Sequence, residues 1–356
     1  MIGSKLFAKG QLVLNRVKFS AWLGASLALL ASPVMAGTLA LTDLGTLGGS
    51  TSTGTAINNN GYAVGSSLTT GGATHAFEYN PNTNSMVDLG VIAGQTSSVA
   101  NGINNSNVIV GVSGPDAFAD VGSGLLSLGT GVDEGINDSG VEIGYVIGTN
   151  DHSVEWSQTY VKTTFFASQN TQSYSINSSG AFVGEENGDG AYSSGGSPIG
   201  NFTLSLGTFV PTQINNNNVI AGQETTDNEA AIYTISTLSE TILGKLLVGD
   251  ASSTASGINS AGTVVGTSGS SGFEWTSSGG MVSLTSLLGS QYSGWTIVSA
   301  SAINDNGQIL AEGKYNGGSD QAVILSLPTP EPSSFVLLGI AALGLGLSAL
   351  KRRRAA

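Results

Sequence analysis

Apolar and polar positions follow a ten-residue pattern that recurs seven times along this chain. A small or polar residue precedes an Ile-Asn pair, and two variable residues and then Gly or Asn follow. The pattern ends with a variable residue, a residue that is apolar in most copies, a second variable residue and a closing small residue. Ile favours a strand, the Asn-rich stretch favours a tight turn, and the alternating residues favour a second strand. Each copy therefore predicts a β-hairpin. The copies are AINNNGYAVG (56–65), GINNSNVIVG (102–111), GINDSGVEIG (135–144), SINSSGAFVG (175–184), QINNNNVIAG (213–222), GINSAGTVVG (257–266) and AINDNGQILA (302–311).

Two further strands are predicted after most hairpins. The third strands are HAFEY (75–79), DAFA (116–119), HSVEW (152–156), GAY (190–192), AAIY (230–233), GFEW (272–275) and QAVIL (321–325). The fourth strands are MVDLG (86–90), LLSLG (125–129), YVKTTFF (160–166), FTLSLG (202–207), ETILG (240–244) and MVSLTSLLG (281–289). The repeats are 33 to 46 residues apart, and four strands in such a unit are typical of one β-propeller blade.

The count of fourth strands favours a closed ring. Only the first six repeats have one, and an unused copy, TLALTDLG (38–45), precedes the first repeat. If this segment completes the last blade, the ring has no exposed sheet edge between its ends. The sequence thus predicts an all-β, seven-bladed β-propeller closed by its N-terminal strand. An open β-solenoid and an irregular β-sandwich are the alternatives. No segment besides the two termini has a helical pattern.

The N-terminal residues 1–36 have the features of an export signal. An apolar stretch covers residues 21–31, and Val34 and Ala36 stand at the positions that a signal peptidase reads. We therefore expect cleavage after Ala36, with a retained N-terminal membrane anchor as the alternative. Four cations form the preceding basic region: Lys5, Lys9, Arg16 and Lys18.

The C-terminal residues 330–356 combine a short polar motif, an apolar stretch and a basic end. The motif is Pro330-Glu331-Pro332, and residues 335–350 are apolar. As a helix, 16 residues span about 24 Å, and the following cations can reach the interface, so we predict a transmembrane helix. A buried core helix is the alternative. Positive charge places this end in the cytoplasm. The basic cluster is Lys351, Arg352, Arg353 and Arg354.

This arrangement resembles the PEP-CTERM sorting signal of Gram-negative bacteria. The resemblance implies recognition by an exosortase-type enzyme in the membrane. It also implies that the protein is transiently anchored in the inner membrane, then processed near Pro332 and released or transferred to the cell surface.

The charge of the remaining segment, 37–329, limits the classes of partner. It holds three lysines and 23 acidic residues, a net charge of −20. No basic stripe is available for a phosphate backbone, which argues against nucleic acid as a partner. This negative charge favours solubility outside the cell. It also leaves Ca²⁺ as a candidate cofactor at turns such as Asp138-Ser139-Gly140 or Asp305-Asn306-Gly307. These turns lack the spacing of known calcium loops. There are no cysteines, so neither disulfides nor Cys-bound metals are expected.

Few residues offer catalytic chemistry. His75 and His152 are the only histidines and begin equivalent strands of two repeats, where we interpret them as capping or edge residues. Glu78, Glu155 and Glu274 occupy matching positions before an aromatic residue, and we expect these carboxylates to face solvent and the aromatic residues to lie between blades. Equivalent positions on different blades are too far apart for paired carboxylate catalysis. No catalytic, cofactor or metal site is predicted.

The repeats resemble the HAF-family extracellular repeat, named for a triplet that stands here as His75-Ala76-Phe77. The preceding DLGTLGG (43–49) and the Ile-Asn phrase also match. The resemblance covers residues 38–326 and implies a surface or extracellular location without an established activity. The sequence therefore predicts a non-enzymatic, exported protein that binds exopolysaccharide or surface proteins, or serves a structural role with them. A propeller glycosidase or lyase is the alternative, and it predicts carboxylates from several blades at one mouth of the channel.

Overall fold

The computed structural model describes residues 38–148, 151–164, 170–195 and 202–327. Within these ranges, 28 strands form seven four-stranded antiparallel sheets, and in six of them the strand order follows the chain. The prediction of an all-β fold with seven four-stranded blades is thereby confirmed. Residues 1–36 and 330–356, with the predicted export signal, sorting motif and membrane helix, lie outside the described ranges.

Each blade runs from an innermost first strand to an outermost fourth strand. Blades 1 and 2 contain β2 Gly48–Ile57, β3 Ala63–Thr69, β4 Thr74–Asn80 and β5 Ser85–Gly90, then β6 Ser98–Ile103, β7 Ile109–Ser113, β8 Asp116–Asp120 and β9 Leu126–Thr130. Blades 3 and 4 contain β10 Val132–Ile136, β11 Glu142–Val146, β12 His152–Trp156 and β13 Lys162–Thr164, then β14 Thr171–Ile176, β15 Phe182–Glu186, β16 Asp189–Ser193 and β17 Leu204–Gly207.

The remaining blades complete the ring. Blades 5 and 6 contain β18 Phe209–Ile214, β19 Val219–Glu224, β20 Glu229–Thr234 and β21 Ser239–Gly244, then β22 Ser253–Ile258, β23 Val264–Ser268, β24 Ser271–Thr276 and β25 Gly280–Ser283. Blade 7 contains β26 Trp295–Ile303, β27 Ile309–Tyr315, β28 Asp320–Ser326 and the N-terminal strand β1 Ala40–Asp43.

The N-terminal strand closes the ring as the sequence predicts. β1 pairs antiparallel with β28, with Ala40 opposite Ser326 and Leu41 opposite Leu325. The side chains of Leu39 and Leu41 are buried in the core of blade 7. Because β1 comes from the start of the chain and β28 from its last described strand, this blade holds the two ends of the propeller together.

The hydrophobic core lies between neighbouring blades. Val64 and Ala76 of blade 1, for example, pack with Ala100, Ile109 and Phe118 of blade 2, and all five are fully or almost fully buried. Alternation along each strand supplies these apolar residues to the two faces of every sheet. The aromatic residues Tyr79 and Trp156 are also buried, which confirms that they belong to the blade-to-blade core.

A bulge in the first strand explains the Gly that closes most copies of the repeated pattern. In blade 6, the register shifts between Ala255 and Gly257, and a Cβ on Gly266 would lie 2.0 Å from the carbonyl oxygen of Thr254. The equivalent distances in the first five blades are 1.9–2.2 Å. A side chain at this position therefore collides with the backbone of the innermost strand.

One predicted strand is partly wrong. Residues 281–289 were expected to form a single fourth strand, but β25 ends at Ser283 and a short helix, α1 Leu284–Leu287, follows. Leucines at 284, 287 and 288 recur at helical rather than strand spacing, so one helical turn directs them to the same side. Leu284 is fully buried, and the backbone N–H of Leu39 donates to the carbonyl of Leu287 at 2.6 Å. The helix thus packs against the segment that closes the ring. In the described ranges, no helix has the length and apolar character needed to cross a membrane.

Candidate functional site

The Ile-Asn turns of all seven blades meet at one mouth of a central channel. We call this end of the propeller the Ile-Asn face. The first strands of the blades line the channel, and the turns between third and fourth strands lie at the same end, because successive hairpins alternate between the two ends of each blade. This face therefore collects residues from every repeat.

A closed ring of asparagines joins the blades at the mouth. The side-chain amide of each Ile-Asn asparagine donates to the backbone carbonyl of the equivalent asparagine in the next blade, at 2.8–3.2 Å, and Asn304 of blade 7 donates to Asn58 of blade 1. All seven side chains are 4–6% exposed. The ring members are Asn58, Asn104, Asn137, Asn177, Asn215, Asn259 and Asn304.

The same asparagines also form their own turns. The Oδ1 atom of Asn58 accepts the backbone N–H groups of Asn60 and Tyr62, both at 3.0 Å. The other six asparagines accept from residues two and four positions later in the same way. Since the amide donates across blades and its oxygen accepts within the turn, each asparagine is committed to the fold. The Ile-Asn motif is thus structural, and it fixes the shape of the mouth.

The next residue of each turn presents its side chain at this face. In five of the seven pairs of neighbouring blades, the backbone N–H of this residue donates to the Asn or Asp side chain at the same position in the next blade. Asn59, for example, donates to Asn105 at 2.8 Å. In the other two pairs, the residue in the next blade is Ser178 or Ser260, whose side chain is shorter than that of Asn or Asp. The mouth is therefore edged by amides and hydroxyls, with Asp138 and Asp305 as the two carboxylates among the described lining residues.

Polar side chains also line the channel below the mouth. Among the lining residues within the described ranges, Glu134 is the single carboxylate. Burial raises the pKa of Glu134 from its ordinary value of 4.5 to about 7. The other residues at its position in the repeats are Thr55, Asn101, Tyr174, Thr212, Ser256 and Ser301.

Blade 3 has a pair of buried carboxyl groups in its core. Asp133 is fully buried and Glu142 is 1% exposed. Both oxygens of Asp133 and Oε2 of Glu142 have no hydrogen-bond partner in the described part of the chain. Loss of water raises the pKa of both groups, and the Glu142 charge raises that of Asp133 further. A proton shared between them, with Asp133 as donor, satisfies the pair, since two adjacent buried carboxylates repel each other.

This pair predicts a pH-dependent stability. The pKa of Glu142 is raised from 4.5 to about 7, so between these values the folded state binds more protons than the unfolded state. The stabilisation is complete below pH 4.5 and is lost as the pH rises through 7. We expect the free energy of unfolding to fall by about 1–3 kcal/mol between pH 4.5 and 8. Urea unfolding at a series of pH values measures this slope.

Glu142→Gln removes one titrating group at nearly constant volume and is expected to reduce the slope, and the raised pKa values of Glu134 and Asp133 account for the slope that remains. Asp189→Asn, which changes an exposed carboxylate of blade 4, is the matched control and should leave the slope unchanged. A wild-type stability that rises between pH 5 and 8 would contradict the shared proton.

The structure places the sequence-predicted candidates in separate blades. His75 Nδ1 lies 3.0 Å from both carboxylate oxygens of Asp88 in the neighbouring strand. His152 is at the equivalent position of blade 3, in agreement with the expected position at a strand start. No group of three or more His, Cys, Asp or Glu side chains in the described ranges could hold a metal ion.

The expectation that the repeated glutamates face solvent is wrong. Glu155 is 8% exposed, and burial raises the pKa of Glu78 and of Glu274. The equivalent residues of other blades include Tyr192, Ile232 and Ile324, so this position lies between blades, and the glutamates occupy a site that is otherwise apolar. Period-two alternation correctly placed each glutamate on the strand face opposite its aromatic neighbour. It could not show that both faces of a propeller blade are covered.

The fold and the C-terminal motif together define an exported β-propeller protein. A family model described as the PEP-CTERM protein-sorting motif matches residues 328–354. That motif is a recognition signal for exosortase-type sorting, so the predictions of export and of an exosortase-type partner are confirmed at this level. The resemblance to HAF repeats and the membrane helix at 335–350 stay predictions.

Solved structures share the fold at low sequence identity. Virginiamycin B lyase from Staphylococcus aureus is 12% identical, with a TM-score of 0.55 over 82% of this chain and 100% of that chain. YCF48 bound to D1 peptide is 9% identical, with a TM-score of 0.54 over 83% of this chain and 96% of that chain. One of these proteins is a lyase and the other is bound to a peptide, so the likeness shows the fold alone. No curated protein matches the sequence significantly.

Proposed function

We propose that this protein is a non-enzymatic binding protein of the cell exterior and that its Ile-Asn face contacts exopolysaccharide. The observation that carries the proposal is the asparagine ring, because it holds seven outward-facing polar side chains in a fixed circle. Amides and hydroxyls in fixed positions suit a ligand that is rich in hydroxyl groups, and a rigid surface loses little entropy on binding. The net charge of −20 in residues 37–329 disfavours strongly anionic ligands.

The C-terminal segment supplies the location. The proposed helix at 335–350 anchors the chain transiently in the inner membrane, with Lys351 to Arg354 on the cytoplasmic side. The sorting enzyme then processes the chain near Pro330-Glu331-Pro332 and releases or transfers the propeller to the cell surface. Mass spectrometry of the exported protein, with and without the sorting enzyme, gives the mature termini and tests this order of events.

A screen of extracellular polysaccharides against the full chain in detergent tests the binding role. Ser178→Arg places a long cation on the Ile-Asn face without removing a side-chain hydrogen bond, because the bond to Asn216 uses the backbone N–H of residue 178. We expect this variant to bind the selected polymer about tenfold or more weakly, which corresponds to about 1.4 kcal/mol.

Thr70→Arg is the matched control, since Thr70 is exposed in the turn between β3 and β4 at the opposite end of blade 1. It should bind like the wild type. Equal losses in both variants would place binding elsewhere, and shortening of the polymer during incubation would favour the glycosidase or lyase alternative.

A further inference from the structure

A cavity of about 250 Å³ lies between blades 2 and 3, next to the mouth on the Ile-Asn face. Blade 2 contributes Asn104 and Val108 to its lining, and blade 3 contributes Glu142, Gln158 and Tyr160. The lining residues also include Asp138, and none of them is Lys, Arg or His. The cavity therefore offers hydrogen-bond acceptors and negative charge but no cation of its own.

Glu142 is the unusual member of this lining. At its position the other blades have Ala63, Ile109, Phe182, Ile220, Val264 and Ile309. It is 1% exposed, and its Oε2 atom has no partner among the described residues. Behind it, both oxygens of Asp133 also lack a donor there. The proton of Asp133 supplies one hydrogen bond and leaves the other acceptor positions of this buried carboxylate unsatisfied, so a ligand that donates hydrogen bonds to it is stabilised strongly.

Tyr160 supplies an aromatic wall in a strained position. Its φ is 59°, in the left-handed region, at a turn where blades 1 and 2 have Asn84 and Gly124. A tyrosine in this conformation costs about 1 kcal/mol or more. The ring is half-buried beside the cavity, and Gln158 donates its amide to the carbonyl of Ser139, which leaves its own carbonyl oxygen as an acceptor.

We propose that this cavity binds the protonated amine of an amino sugar within a polysaccharide, with Glu142 as the acceptor and Tyr160 in contact with the sugar ring. An ammonium group offers three donors and a positive charge. Asp133 keeps the proton that it donates to Glu142, so the ammonium neutralises the single negative charge on Glu142, and no proton has to be released. A neutral hydroxyl brings no compensating charge, and an anion is repelled. This assignment rests on the proposed polysaccharide role of the Ile-Asn face.

Isothermal titration of the full chain with glucosamine tests the assignment. Glucose and N-acetylglucosamine lack the free amine and serve as ligand controls. We expect glucosamine to bind at least about tenfold more tightly than either. Equal binding of N-acetylglucosamine would overturn the assignment. Displacement of glucosamine by millimolar CaCl₂ would also overturn it, because Glu142 would then be a ligand for a metal ion.

Two variants test the residues. Glu142→Gln keeps the volume but removes the charge, and Tyr160→Gly removes the ring at a position whose backbone favours glycine, so that folding is preserved. Both should weaken glucosamine binding about tenfold or more. Glu78→Gln, in the neighbouring cavity between blades 1 and 2, is the matched control and should have no effect. If Glu142→Gln bound glucosamine with wild-type affinity, the assignment would be wrong.

The outcomes also separate this inference from the proposed function. If polysaccharide binds the full chain and is weakened by Ser178→Arg, but glucosamine does not bind, the amine site is wrong and the function stands. If no polysaccharide binds, the proposed function fails, whatever glucosamine does in the cavity.

Discussion

A chain that lacks residues 38–45 is expected to lose its single cooperative unfolding transition and to self-associate. Leu39, Leu41 and Leu44 are all buried, and each contributes about 1.5–3 kcal/mol by burial. Their combined loss, together with the backbone pairs of β1 and β28, is comparable to the whole stability of a typical domain. It also leaves β28 as an open sheet edge, which invites pairing with other copies. Thermal unfolding followed by circular dichroism, with size-exclusion chromatography, measures both effects.

Point variants of the same strand give a graded version of this test. Leu41→Ala should lower the free energy of unfolding by about 2–4 kcal/mol. Thr42→Ala, at the next position on the other face of β1, keeps the backbone pairing and should change it by less than about 1 kcal/mol. A shortened chain that stays monomeric and unfolds like the wild type would show that the ring does not depend on this closure.

Asn259→Ala is expected to be strongly destabilising. It removes the bond from Nδ2 to the carbonyl of Asn304 at 3.2 Å, and it leaves the N–H groups of Ala261 and Thr263 without their acceptor. Each lost bond costs about 0.5–1.5 kcal/mol, and a buried group left unsatisfied costs more. We therefore expect a loss of about 2–4 kcal/mol in urea unfolding.

Asn259→Asp separates the two roles of the side chain. It retains the acceptor for the turn but loses the donor to blade 7, and places a negative charge near the carbonyl of Asn304. It should still be clearly destabilising, whereas Ser260→Ala, the adjacent control, should have little effect. If Asn259→Asp matched the wild type, the turn alone would account for the motif, and the ring between blades would contribute nothing measurable.

The sequence predicts the blades and their closure because both depend on local signals that repeat. Ile57 and the turn after it identify a hairpin in isolation, and seven copies reveal the period. The leftover strand at residues 38–45 then follows from counting. Helix α1 was missed because three leucines in nine residues fit a strand as well as a single helical turn, and only the contact with Leu39 decides between them.

The asparagine ring and the acid pair could not be derived in the same way. Asn58 was correctly interpreted as a turn residue, but its donor reaches Asn104 in the next repeat, and that contact exists only once the blades are arranged in a circle. Glu142 left a visible trace, since it is the charged residue at a position that is apolar in the other six copies. The burial of Glu155 depends on the neighbouring blade, which no strand pattern encodes.

The pairing of β1 with β28 also determines how the protein responds to mechanical force. The sorting segment follows β28 in the chain, so tension on that segment is applied to a strand held by β27 on one side and β1 on the other. A pull along this strand must shear both rows of hydrogen bonds together, whereas an edge strand peels away one bond at a time. Tension on the sorting segment therefore loads the propeller through a strand that has a hydrogen-bonded neighbour on each side.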